Sequence, residues 1–191
     1  MTMWEALKAR WLPDDPDGPP ERFESYYAIK YEVARQLHQA GRLDSIVEIG
    51  VRAGYSAFAL LSANPEARYY GIDWDQAGWG GVRGYLDRAR KTLAGFPNVT
   101  LARANSQELE ELPETYDLAH VDGDHSWDGA FHDLELCARH SFAVLVDDYD
   151  LALSVRGATD HFLVRHAHSH TFRYQGDGML RGQMLILRRE S

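Results

Sequence analysis

Two short apolar runs end in residues able to do chemistry together. Leu118 to Val121 leads into Asp122-Gly123-Asp124-His125, and Phe142 to Val146 leads into Asp147-Asp148. If the runs are neighbouring strands, Asp122, Asp147 and Asp148 meet at one end of a sheet. Bare carboxylates crowded in this way repel and raise each other's pKa, whereas a divalent cation neutralises them. All-oxygen ligands suit Mg²⁺, Mn²⁺ or Ca²⁺ better than zinc, and Mg²⁺ keeps positions for water or a substrate oxygen. The plainer role for acids at strand ends is to cap the next helix, and it is the one expected of Asp124 or Asp128. His125, with an ordinary pKa near ~6.5, could take a proton from a metal-polarised hydroxyl, orient a ligand, or simply cap that helix.

A second constellation precedes these. Val47-Glu48-Ile49-Gly50-Val51-Arg52-Ala53-Gly54-Tyr55-Ser56 is a strand running into a tight turn, where glycine lets the backbone approach a ligand closely. A dinucleotide fingerprint starting at Gly50 would need glycine at 52 and 55; Arg52 and Tyr55 stand there, which disfavours NAD. About 20 residues past the turn, the next run ends Gly71-Ile72-Asp73, and an acid so placed can accept hydrogen bonds from both hydroxyls of an adenosine ribose.

Glu48 to Ser56 together with Asp73 resembles the cofactor motifs of class I S-adenosylmethionine (SAM)-dependent methyltransferases. Glu-Ile-Gly-Val-x-x-Gly-Tyr-Ser is similar, more narrowly, to the cation-dependent O-methyltransferases that include the catechol and caffeoyl-CoA enzymes; the likeness covers about residues 45 to 150. It implies that Glu48, Gly50 and Gly54, with Tyr55 and Ser56 closing the turn, hold the methionine side of SAM and that Asp73 binds the ribose. Asn105 and Ser106 would lie near the adenine, although the family usually has an acid and a small residue there. Asp122, counted on the cofactor side as well, matches the first metal aspartate of that family, and Asp147 and Asp148 match its second and third ligands. His125 stands where the family commonly carries a lysine proposed as general base. Asp-Gly-Asp-His after the fourth strand also resembles short bacterial methyltransferases of natural-product and sugar modification. The implied reaction is methyl transfer to a hydroxyl of a small molecule.

These residues need a scaffold that lines up strand ends. Five runs, Ser45 to Ile49, Tyr69 to Ile72, Val99 to Ala102, Leu118 to Val121 and Phe142 to Val146, alternate with helix-like stretches at Tyr55 to Ala63, Val82 to Leu93, Ser126 to Arg139 and Ala152 to Arg165. Such alternation predicts a parallel sheet covered on both faces. Thr171 to Tyr174 and Gln183 to Leu187 flank a Gly-Asp-Gly turn and read as an antiparallel hairpin. The expected fold is therefore α/β, a doubly wound, mostly parallel seven-stranded sheet of the Rossmann-like methyltransferase type. A small helix around Trp4, Leu7 and Trp11 and a proline-rich linker make residues 1–20 an N-terminal segment. A helix from Glu21 to about Ala40, with Tyr27, Tyr31, Ala34 and Leu37 on one face, opens the domain at 21–191. Tyr26, Tyr27 and Lys30 on that helix, and Trp74 and Trp79 after the second strand, either pack or cover the pocket.

Composition narrows the partners. At 191 residues and 45% hydrophobic content the chain can build one large core, and it shows neither a membrane span nor a leader, so a cytoplasmic protein is expected. A formal charge of -9 opposes binding to nucleic acid. Cys137, the one cysteine, excludes an internal disulfide and a thiolate-only metal site. The tract His161, His166, His168, His170 reads as solvated histidines at a helix end rather than a second metal centre. The expected partners are a small-molecule hydroxyl acceptor and, with no residue-level argument, a second copy in a homodimer. Two rival readings are a non-catalytic SAM or nucleotide-binding module and a nicotinamide-dependent oxidoreductase.

Overall fold

Glycine and acidic stops punctuate the chain into strands too short and too apolar to be stable except inside a sheet. The computed structural model describes residues 1–13, 15–16, 18–76, 84–176 and 182–189. The order is α1 (Met3–Lys8), α2 (Glu24–Gln39), β1 (Ser45–Ile49), α3 (Tyr55–Leu61), β2 (Arg68–Asp73), α4 (Tyr85–Thr92), β3 (Val99–Arg103), β4 (Tyr116–Val121), α5 (Trp127–His140), β5 (Ser141–Val146), α6 (Leu153–Arg165), β6 (His170–Gln175) and β7 (Gln183–Arg188). The sheet runs β3-β2-β1-β4-β5-β7-β6, with β7 antiparallel to both β5 and β6. The doubly wound α/β fold with its C-terminal hairpin is the one expected.

Element ends differ from expectation for local reasons. The helix expected from Glu21 starts as a 3-10 turn at Pro20–Phe23, where Pro20 is tolerated because first-turn N–H groups have no intrahelical partner, and becomes α-helical at Glu24. Position 82, the expected start of α4, lies outside the described residues, as do Trp79 and part of the hairpin turn.

Period-two alternation assigns the strand side chains to two cores. Ile46, Leu118, Ala143 and Leu145 pack under α1, α2 and α3 with Trp4, Leu7, Val33 and Leu37. Val47, Ile49, Ala119, Val121, Val144 and Val146 pack against Leu134, Cys137, Ala158 and Phe162 of α5 and α6. Trp4 and Leu7 thus bind the N-terminal helix into the main core. Asp15 of the linker is buried, receives the Tyr55 hydroxyl at 3.2 Å and lies 3.6 Å from the Arg52 guanidinium, which ties the linker to the glycine turn.

At Gly50 the chain leaves β1 with φ +89°, and a Cβ there would sit 1.8 Å from the backbone oxygen of Asp122. Gly50→Ala therefore combines left-handed strain with a backbone clash, and is expected to destabilise the fold by about 3 kcal/mol or more. A urea denaturation midpoint close to that of the wild type would contradict this.

Candidate active site

The strand order reverses between β1 and β4, and clefts for ligands open at such points beyond the carboxyl ends of the strands. Ladder bonds carry the register past the strands: Gly50 N–H donates to Ile72 O, Asp122 N–H to Ile49 O and Asp147 N–H to Val121 O, at 2.9, 2.9 and 3.0 Å. Gly50, Asp73, Asp122 and Asp147 therefore end up along one edge. Alternation also fixes the face. Leu118, His120 and Asp122, like Ala143, Leu145 and Asp147, point to the side covered by α2.

On that face lies a chain of buried polar groups. The Tyr69 hydroxyl donates to Glu48 Oε2, and His120 Nδ1 lies 2.9 Å from Glu48 Oε1. Lys30 Nζ lies 2.9 Å from His120 Nε2 and 2.9 Å from Asp147 Oδ2, and the Tyr26 hydroxyl donates to the same Oδ2. An ammonium can only donate, so His120 Nε2 accepts and its Nδ1–H donates to Glu48. The side chains of Lys30, His120, Glu48 and Asp147 have no solvent exposure. Burial alone would raise the Asp147 carboxyl, but the Lys30 ammonium, the His120 ring and the hydrogen bonds the group receives together outweigh it and hold the group below the usual carboxylate range. Among the described residues, the buried Asp147 Oδ1 meets no hydrogen-bond partner. Beside it, burial and then the charge of Asp147 push the Asp122 carboxyl well above its ordinary value.

Nearer the solvent, His125 Nε2 stands 3.4 Å from Asp122 Oδ1 and 3.6 Å from Asp148 Oδ2. By alternation Asp148 would face away from Asp147; a left-handed φ of +52° redirects the chain there. Among the described residues, the acidic and histidine groups with ligand atoms converging within 4.8 Å are His120, Asp122, Asp147 and Asp122, His125, Asp148. The expected trio is thus split between two sets that share Asp122, with His120 and His125 added. The carboxylate oxygens of Asp122 and Asp148 and Asp147 Oδ1 suit a hard cation, whereas the His125 nitrogen does not and Asp147 Oδ2 is taken.

On the cofactor side, among the described residues, Asp73 Oδ2 accepts the Arg52 N–H at 2.7 Å and Oδ1 accepts the Asp75 N–H at 2.6 Å. A carboxylate oxygen has a second lone pair, so neither bond exhausts the acceptor capacity of its oxygen. The turn carries positive φ at Gly50, Arg52 and Gly54. Glu48 is fully buried behind it, bonded as described, and Ser56 is buried on α3. Tyr55 turns toward the linker, stacked 4.2 Å from Trp11, with its hydroxyl accepting from Leu12 N–H at 3.0 Å. Asn105 caps a 3-10 turn, accepting from Gln107 N–H, and Ser106 is buried beside it.

Several partners were not assigned from sequence. Spacing assigns no role to His120, Tyr69 or Asp75, and leaves Lys30 between packing and covering the pocket. Asp75 is buried, receives Gly84 N–H at 2.7 Å and Arg103 Nη2 at 2.6 Å, and so anchors the start of α4. The available signal was a polar residue inside an otherwise apolar pattern: Glu48 and His120 in buried strands, Lys30 on the apolar stripe of α2. The cap of α5 is Ser126, whose Oγ accepts from Gly129 N–H, while Asp124 accepts from Ser126 N–H. In the histidine tract, His166 stacks 4.3 Å from Phe162 and pairs with Glu135 at 2.9 Å. Trp74 is 60% exposed.

The hydrogen bond with Asp122, against some burial and with help from the charges of Asp122 and Asp148, raises His125 to about 9. Such a group stabilises the fold fully below its unfolded value near ~6.5 and loses that contribution as pH rises through the folded value. In chelator-treated protein the melting temperature is expected to fall between about pH 6.5 and about 9, and His125→Gln to flatten that fall. Identical pH profiles for the two proteins would refute the pairing.

Comparison with known proteins agrees with this fold. The family described as "Methyltransferase domain" matches residues 47–149, more than half of the chain and the span from β1 through the carboxylate pair. No curated protein matches significantly. Among solved structures, the O-methyltransferase NovP superposes with a TM-score of 0.74 at 14% identity, covering 98% of this chain and 97% of that one. TomG, an O-methyltransferase from Streptomyces achromogenes involved in tomaymycin synthesis and solved with SAM, gives 0.64 at 18% identity over 100% and 91%. The O-methyltransferase from Bacillus cereus solved with SAH gives 0.64 at 18% over 98% and 90%. At these identities the superpositions establish the fold, and together with the family match they show that the chain belongs to the methyltransferase-domain family.

Proposed function

We propose that this protein transfers a methyl group from SAM to a hydroxyl oxygen of a small molecule, with a divalent cation, Mg²⁺ in the first instance, on Asp122, Asp147 and Asp148. One observation carries the reading: an Asp73 carboxylate with acceptor capacity left and a carboxylate cluster with a buried, unpartnered Asp147 Oδ1 share one sheet edge at the switch point. A nucleotide-binding module would need only the first of these. Oxygen as the acceptor is further supported by the three structural relatives, each named an O-methyltransferase.

When bound, SAM supplies an electrophilic methyl on a sulfonium and the cation supplies charge that acidifies an acceptor hydroxyl. The rest falls to the chain. Asp73 receives the ribose hydroxyls, and Gly50 and Gly54 leave the turn open to close approach. Glu48, Tyr55 and Ser56 support the methionine side from behind the turn, and Asn105 and Ser106 flank the adenine. Asp122 closes the cofactor side while facing the cation. His125 Nε2, between Asp122 and Asp148, takes the acceptor proton. That role needs a neutral ring, which a cation held by Asp122 and Asp148 would favour by offsetting the charge that draws a proton to His125. The geometry fits catalysis chiefly by positioning. Residues 21–191 form the catalytic unit, with 1–20 packed on it, and the acceptor class comprises catechol-like, sugar and natural-product hydroxyls.

Calorimetric titration of metal-stripped protein with SAM and with NADH tests this directly. SAM alone is expected to bind, and Asp73→Ala to weaken it by about 10- to 100-fold, the worth of hydrogen bonds to a charged group. A Mg²⁺ signal is expected that Asp147→Ala removes. Binding of NADH without SAM would replace the reading with the oxidoreductase one. Turnover surviving Asp122→Ala would remove the cation from it.

A further inference from the structure

Lys30 is a lysine with no exposed side-chain surface, held on α2 rather than on the strands that carry the acids. Taking Asp122, Asp147 and Asp148 as the cation site proposed above, we propose that Lys30 is a built-in counter-cation for that site. Its ammonium neutralises Asp147 while the divalent ion is away, keeps the cluster folded, and loosens the ion's hold once it arrives.

Three observations carry this. Glu48 and Asp147 are both fully buried at the side chain, and Lys30 Nζ stands 2.9 Å from Asp147 Oδ2 and, through His120, is linked to Glu48 Oε1 by two contacts of 2.9 Å. Buried carboxylates without a cation are costly enough to unfold or protonate the site. Second, Lys30 and Tyr26 both use Oδ2, leaving Oδ1 buried and unpartnered, so ammonium and divalent ion address opposite oxygens of one carboxylate. Third, Asp122, His125 and Asp148 are partly exposed, whereas Lys30 is fully buried against Asp147 and His120, which leaves the ion a route in and out. An ion beside a fixed positive charge is repelled at short range in a medium of low dielectric constant. The site is built to exchange its ion rather than to depend on it for folding.

The experiment uses Mn²⁺ as probe, read by electron paramagnetic resonance, with melting curves in chelator and in Mn²⁺. Lys30→Met removes charge and donor; Lys30→Gln keeps a donor for Oδ2 and removes only charge. Both are expected to melt roughly 5 °C or more below wild type in chelator, to regain most of the loss in Mn²⁺, and to bind Mn²⁺ about tenfold or more tightly than wild type. A residue needed only for packing would give the melting loss without the Mn²⁺ rescue. Unchanged or weaker Mn²⁺ binding in both variants, or no extra stabilisation by Mn²⁺, overturns the proposal. Variants recovered folded only when Mn²⁺ is present support it, and variants that fold under neither condition overturn it. Wild type that binds SAH but no Mn²⁺ sinks the counter-cation and leaves methyl transfer standing. Wild type that binds Mn²⁺ but neither SAM nor SAH does the reverse.

Discussion

Placing anions inside a parallel sheet is the constraint from which the rest of this structure follows. Glu48 and Asp147 are side chains of buried strand ends, and removing one partner of such a buried pair typically costs about 3–5 kcal/mol. The Lys30 ammonium compensates Asp147, and by donating to His120 it fixes the tautomer whose Nδ1–H, with the Tyr69 hydroxyl, satisfies Glu48. Because the lysine comes from α2, that helix cannot slide or rotate without stranding a carboxylate. The first long helix is thereby keyed to the strands that carry the chemistry.

The same edge then gathers the functional groups by register rather than by loop design. Once Ile49, Val121 and Val146 are level across β1, β4 and β5, the residues that follow them, Gly50, Asp122 and Asp147, must be neighbours. Close passage of Gly50 against the Asp122 carbonyl shows how tightly the two strand ends are drawn together. The cofactor half is braced separately, by backbone N–H groups on Asp73 and by Asp75 at the start of α4. The linker joins this half through Asp15, Arg52 and Tyr55.

Much of this was legible in the chain. Strand ends announced themselves because the runs of β1, β2, β4 and β5 stop at a glycine or an acid, while that of β3 stops at Arg103, and β1 was read to its boundaries from Ser45 to Ile49. Asp73 and Asp122 were legible for the same reason, as first polar residues after apolar runs. What escaped was pairing across the fold. Nothing local says that Lys30 reaches Asp147 across 117 positions, or that His120 turns its two nitrogens to Lys30 and Glu48. Lys30 fits the helical stripe as well as a snorkelling residue would, and His120 fits the strand as filler. The turn at Asp148 was equally hidden, since a positive φ at aspartate leaves no mark in composition. Helix starts after prolines shifted by a turn because capping and 3-10 geometry compete over a few residues.

In the proposed function, cofactor and cation share the β1–β4 edge. A crystal structure of the protein grown with SAH and Mn²⁺, with data collected for the anomalous signal of manganese, addresses that claim most directly. The account predicts one manganese peak bounded by Asp122, Asp148 and Asp147 Oδ1, with Lys30 still on Oδ2 and the SAH ribose hydroxyls on Asp73. SAH bound away from Asp73, or manganese absent from the carboxylates at saturating concentration, would contradict it.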